Sequence, residues 1–323
     1  VPLSLLQRET ETLQYLTSNY VMLFSTLPPI LQKMFLVLLG IWLPCLAVPL
    51  LAQSAGRTTV GAAAYGLGGA AVTVGNPYAI FQNIGALAEV SHYQGFVGYE
   101  NYFAVAGWHT LFAGASLPIA HQGKQLGTAG IGVWRFGDNL YNEHRLAVGY
   151  SHKVEGVSLG IQANYLQVQA EGVGTRRVVA IEFGGVARLT ETILVGLHGY
   201  NLNLAKMATF EDERFPTILK AGLSYRPNSR LMVNLEAEKD VLYPVRLRAG
   251  LEYAVWAERI WLRLGASSRP FANYFGIGYQ QGRFRFDYAL STQPQIGFSN
   301  HLSVCFQFYQ KTFAADSPQN AAH

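Results

Sequence analysis

The stretch GRFRFDYAL, residues 282–290, alternates its chemistry one residue at a time. Phe284, Phe286, Tyr288 and Leu290 share one parity, and Arg283, Arg285, Asp287 and Ala289 share the other. Successive side chains of a strand point to opposite faces, so the segment has one apolar and one charged face. A soluble β-protein would bury the aromatic face. A membrane barrel turns it toward lipid and keeps the charges in the lumen.

Neighbouring segments repeat the pattern. Val245, Leu247, Leu251 and Tyr253 oppose Arg246, Arg248 and Glu252, while Leu302, Val304, Phe306 and Phe308 oppose Ser303, Cys305 and Gln307. Four or five apolar positions per strand suit a lipid-facing band about 25 Å tall. The alternation predicts strands near 92–103, 107–119, 126–136, 143–153, 156–168, 176–187, 190–202, 216–226, 229–239, 244–255, 258–267, 271–280, 282–292 and 299–310. No sustained 3.6-residue period interrupts them, which excludes helical bundles and α/β folds. Tight turns (KVEG, RLTE, RPNS, WAER and QQGR) alternate with longer links (FGDNLYNEH, VQAEGVGTR, NLAKMATFEDERFP, KDVLYP, SSRPFAN and STQPQIGFSN). Outer-membrane barrels keep that rhythm because their periplasmic turns are short and their external loops longer. IAHQGKQ, residues 119–125, is long for a periplasmic turn. The expected fold is therefore all-β: a transmembrane antiparallel up-and-down barrel of about 14 strands, with a small N-terminal hatch.

Composition agrees. The 323 residues are 14% charged and 13% aromatic, against a usual charged share of about a quarter. The net charge of +4 comes without a basic run, so no nucleic-acid partner is expected. Outer-membrane lipid is the expected surrounding.

Residues 34–52, MFLVLLGIWLPCLAVPLLA, form the longest apolar run, flanked by Lys33 and QSAGRT and broken by Pro44 and Pro49. That reads as a secretory signal. The expected organisation is a mis-called or cleaved leader over 1–33, with translation starting at Met22 or Met34, and a signal peptide over 34–55. A hatch or plug over 56–91, a barrel over 92–310 and a flexible periplasmic tail over 311–323 follow. Removal of Cys45 with the signal leaves Cys305 as a lone thiol.

On this parity the lumen of the C-terminal half carries Lys220, Glu236, Glu238, Arg246, Arg248, Glu252, Arg263, Arg283, Arg285 and Asp287. Opposite charges on adjacent strands can pair across the ladder. The N-terminal half turns Gly130, Gly132, Gly160, Gln162, Asn164 and Gly196 inward, leaving room for the Gly- and Ala-rich hatch. In the hatch, NPYAIFQNIGAL is expected to form a short helix with Asn76 as N-cap and Pro77 at the first position. The loop MATFEDERFP holds Glu211, Asp212, Glu213 and Arg214, a solvated loop or a partner-docking one.

Catalytic and metal motifs fail on context. GVSLG around Ser158 lacks the strand–turn–helix setting of a nucleophile elbow, and His152 falls on the lipid-facing parity. GLGGAA has no βαβ unit around it. The eight histidines lack metal-ligand spacing, and no cofactor is expected. Trp108, Trp134, Tyr150, Tyr225 and Tyr274 are read as interfacial girdles.

AAAYGLGGAAVTVGNPYAIFQNIGALA, with Gly66, Gly68, Gly69, Asn76, Pro77 and Asn83, resembles the N-terminal signature of the PorV/PorQ group within the FadL-like barrels. PVRLRAGLEY, FGIGYQQGRFRFDYAL and NHLSVCFQF extend the resemblance to the C-terminus. The group's usual NPAGLA is replaced here by Asn83, Ile84, Gly85, Ala86, Leu87 and Ala88. The resemblance implies a 14-stranded outer-membrane barrel with a hatch. It further implies a non-catalytic accessory of type IX-like protein secretion or surface attachment, with a translocon or secreted cargo as partner. The alternative is a FadL-like or passive channel for a small solute. A charged lumen favours the first over an apolar tunnel.

Overall fold

The computed structural model describes residues 58–121, 124–206, 215–256 and 259–309. The expected leader, signal segment and C-terminal tail lie outside the described residues, as do Glu211, Asp212, Glu213 and Arg214.

Fourteen antiparallel strands close into one barrel. They are β1 (Tyr93–Asn101), β2 (His109–His121), β3 (Lys124–Gly137), β4 (Tyr141–Val154), β5 (Val157–Ala170), β6 (Gly174–Arg188) and β7 (Ile193–Tyr200). The second half adds β8 (Ile218–Asn228), β9 (Leu231–Asp240), β10 (Arg246–Val255), β11 (Ile260–Ser268), β12 (Phe271–Gln281), β13 (Phe284–Gln293) and β14 (Gly297–Tyr309). Each strand pairs with its chain neighbours, and β1 pairs with β14. Closure leaves no open edge, the condition a sheet must meet in hydrocarbon.

The opening segment settles which way the wall faces. Phe284, Phe286 and Tyr288 are 46%, 42% and 41% exposed, whereas Asp287 and Ala289 are 2% and 0%. Phe284 does touch Phe306, with ring centroids 4.7 Å apart, but on the outer wall where the two are register partners. The aromatic face meets lipid.

Connections are tighter than the sequence suggests. β2 runs to His121 and β3 starts at Lys124, so the long turn expected at 119–125 is mostly strand. Likewise the links after β3, β5, β11 and β13 shrink to residues 138–140, 171–173, 269–270 and 294–296. Polar residues there sit on strand ends that outrun the bilayer: β5 and β6 have 14 and 15 residues, against the roughly 9–11 a tilted crossing needs. The connection from β7 to β8, residues 201–217, stays long. The tight-turn end is periplasmic by the barrel rule.

Residues 58–91 fill the lumen. This hatch contains α1 (Ala62–Gly66), α2 (Ala79–Gln82) and a 3₁₀ turn, Ile84–Glu89. Thr58 lies against Lys220 and Glu238, near the external end, and Val90 reaches Thr128 near the periplasmic end, from which β1 departs. The expected cap differs. Asn76 offers only its backbone carbonyl, accepting from the Ala79 N–H at 3.0 Å. Asn83 instead caps the 3₁₀ turn, its Oδ1 accepting from the Gly85 N–H at 3.0 Å. Asn83 wins because its Nδ2 also donates to Val72 O and Gly185 O, tying hatch to wall.

Candidate functional site

Glycine lets the hatch approach the wall backbone to backbone. At Gly68, φ is +67° and an added Cβ would lie 2.8 Å from Ala249 O and Ala266 N. At Gly85 it would lie 2.5 Å from Gly185 Cα. Neither position tolerates a side chain without separating the layers. Gly66 rests on Arg263 and Gly276, and Gly69 on Arg248. The inward glycines of the first half do receive the hatch: Gly130 meets Leu87 and Ile80, Gly132 meets Phe81, Gly160 meets Ile84 and Gly196 meets Val72.

The charge ladder grips this segment. Register places Lys220 opposite Glu238 and Glu238 opposite Arg246, with Glu236 opposite Arg248. Arg248 spans both acids, at 3.1 Å to Glu236 and 2.9 Å to Glu238. Arg246 lies 3.1 Å and Lys220 3.8 Å from Glu238. Much of what remains of their hydrogen-bonding capacity goes to the hatch, to its backbone and to the Thr58 and Thr59 hydroxyls, while Arg246 donates to Arg269 O on the wall. Glu236 Oε2 accepts from the Ala71 and Val72 N–H groups, each at 2.9 Å. Arg248 Nη1 donates to Gly69 O at 3.2 Å, Lys220 Nζ to Thr58 O at 3.1 Å, and Asn234 Nδ2 to Ala70 O at 2.8 Å. Buried charges persist only when paired and fully hydrogen-bonded. Here the hatch supplies the missing partners.

A second knot joins Arg263 to Glu252 at 2.6 Å and to Asp287 at 2.8 Å, with Arg285 on Asp287 at 3.2 Å and over the Trp261 ring at 4.4 Å. Arg283 stands apart. It precedes β13 in an exposed turn and lines a cavity of about 190 Å³ at the periplasmic mouth, with Asn76, Pro77 and Tyr78.

Two polar groups escape the sequence reading. In one, Arg145 pairs with Glu182, which also lies 3.0 Å from His198 Nε2. Arg145 Nε donates to Asn164 at 2.7 Å, and its guanidinium sits between Phe81 and Tyr200. In the other, Glu100 accepts from the Gly61 N–H at 3.0 Å and from the Tyr102 hydroxyl, beside His301, whose ring stacks on Tyr65 at 3.7 Å. Period-2 parity places Arg145 and Glu182 on the inward faces of β4 and β6, as it does the charges of β10 and β13.

The lumen also has an apolar side. Phe96, Phe112, Trp134 and Phe136 face inward from β1–β3 and are buried. Trp134 is thus no girdle residue, and Tyr274 also turns inward, its hydroxyl 3.3 Å from Ser267 Oγ. Hatch residues Tyr78 and Phe81 pack on this wall, with Tyr78–Phe96 and Phe81–Phe96 centroids at 4.7 and 6.1 Å. Ser158 begins β5 and faces Glu89, its Oγ donating at 3.2 Å, in a strand rather than at an elbow.

A closed barrel of fourteen strands with an N-terminal segment inside it has the fold of the FadL-like outer-membrane barrels, and its apolar exterior is that of an outer-membrane protein. Among solved structures it is similar to the CymD monoaromatic hydrocarbon channel (TM-score 0.61, 11% identity, covering 80% of this chain and 100% of that one). It is also similar to the P. putida toluene transporter TodX (0.59, 12%, 79% and 100%) and a Pseudomonas aeruginosa FadL homologue (0.58, 14%, 80% and 100%). No protein-family model matches the sequence, and no curated protein matches it.

Proposed function

We propose that this barrel admits a small hydrophobic solute through the outer membrane, along the aromatic side of its lumen. The observation that carries this reading is the Phe96, Phe112, Trp134 and Phe136 wall, covered by apolar hatch side chains. Apolar pockets with a few polar fixtures are what such ligands need. The charged half does not oppose the reading, because its ions are engaged with one another and with the hatch. Solved barrels of similar fold carry the names of a monoaromatic hydrocarbon channel and a toluene transporter. Passage requires the hatch to part from the aromatic wall while the ionic side holds. The test is uptake of radiolabelled toluene by cells with and without the barrel, in an outer membrane lacking other channels. Faster uptake with the barrel is expected; equal uptake sinks the reading.

The second reading is a PorV/PorQ-like accessory of protein secretion or surface attachment. Hatch glycines set directly on wall backbone favour it, since such a seal suits a scaffold that stays shut. A barrel silent in planar bilayers that co-purifies with a large translocon or secreted cargo would select it.

A further inference from the structure

The lipid-facing wall carries a groove of about 830 Å³ across β14 and β1–β5. Register arranges its outward residues in two rows. Val97, Ala113, Val133, Leu146 and Tyr165 are mutual partners across adjacent strands and make an apolar floor, lowest at Ala113. One step nearer the external end, the next row reads Tyr99, Leu111, Arg135, His144, Gln167 and Arg177. The first row is apolar throughout. The second turns basic halfway along, and Arg135 and His144 line the groove itself.

That order matches a lipid standing in the outer leaflet. Hydrocarbon would lie on the Val97–Tyr165 row, and an anionic headgroup would meet the arginines where the wall leaves the membrane. Arg177 belongs to the projecting β5–β6 hairpin, where outward Gln167 and Gln169 replace the aliphatic residues found lower on β5. Its Nε donates to Gln167 Oε1 at 3.3 Å, which holds the side chain along the wall. Arg135 Nη2 donates to Asp138 O at 3.2 Å. Two acids neighbour this belt: Asp138, whose carboxylate already accepts from the Leu140 and Tyr141 N–H groups at 2.9 and 3.1 Å, and exposed Glu171 in the β5–β6 turn, whose N–H donates to Leu140 O at 2.8 Å. A fixed basic belt above an apolar groove recognises a phosphate on an acyl-chain anchor.

We infer that this face binds one phosphorylated glycolipid of the outer leaflet, with acyl chains in the groove and its anionic headgroup along the belt that runs from Arg135 to Arg177. Native mass spectrometry of the full barrel, extracted from outer membranes in mild detergent, tests it. Wild type is expected to retain one phosphorylated glycolipid. The Arg135→Gln/Arg177→Gln double variant should lose it roughly tenfold or more, and Ala113→Trp, which fills the groove floor, should lose it as well. Lys239→Gln removes an outward cation of β9 on the far wall and should leave retention unchanged. Heat-dependent gel migration reports that each barrel is closed. Retention unaffected by either groove variant, equal loss in Lys239→Gln, no retained lipid on wild type, or a phospholipid held in place of the glycolipid would each overturn the assignment.

Discussion

The hatch meets two unlike walls. Against β8–β10 it presents mainly backbone, and Glu236, Arg248, Lys220 and Asn234 take hold of its N–H and C=O groups over residues 58–72. Against β1–β3 it presents Tyr78, Ile80, Phe81 and Leu87, which pack on Phe96, Phe112 and the glycines of β3. Hydrogen bonds to buried charge are directional and fail as a set when one member leaves, whereas apolar packing yields by degrees. The first wall therefore fixes where the hatch sits. The second sets how readily it loosens.

Glu236→Ala strikes that contrast hardest. It strands Arg248 and two hatch amides, which should cost about 3–5 kcal/mol of docking. Hydrogen exchange should quicken first at Ala71 and Val72; equal quickening across 78–90 would mean the two walls act as one unit. Phe81→Ala empties the space over Gly132 and should cost ~3 kcal/mol, read as faster exchange at 78–90 with 69–72 still protected. Faster toluene uptake should accompany it if the aromatic side is the passage. Gly85→Ala should cost about 1–3 kcal/mol by forcing the 3₁₀ turn off Gly185, measured as protease cleavage within 58–91.

The smallest effect lies outside both walls. Backbone N–H groups of Tyr141 and Leu140 hold the Asp138 carboxyl below its ordinary value of 3.8. A depressed carboxylate stabilises its turn above the unfolded value and loses that contribution as pH falls through the folded one. Exchange at Leu140 and Tyr141 should accordingly rise only in strong acid, and Asp138→Asn should abolish that pH dependence.

How much of this is legible in the sequence follows from the range of each interaction. Strand parity is local, so the outward set of β13 and the inward Lys220, Glu236, Arg248, Arg263 and Asp287 can be read directly. Arg145 and Glu182 obey the same parity, but their strands lie among inward glycines such as Gly132 and Gly160, a context that reads as empty space and not as an ionic site. Trp134 misleads because an aromatic residue near a strand end suits either a girdle or a plugged lumen. The grip of Glu236 on Val72 spans 164 residues, and no local pattern encodes it. The strand ends flanking the short links 138–140 and 171–173 read as loops because they extend past the bilayer, where polar side chains are free to face outward.

The β1–β14 pairing joins strands some two hundred positions apart, through partners such as Phe96 and Cys305. The hatch comes immediately before one side of that seam. Glycine-tight contacts leave little clearance for threading, so during assembly the sheet should wrap around the hatch before the last ladder zips. Membrane insertion and internal plugging should then be one event, and a chain whose N-terminal segment misfolds should stall with its seam unsealed.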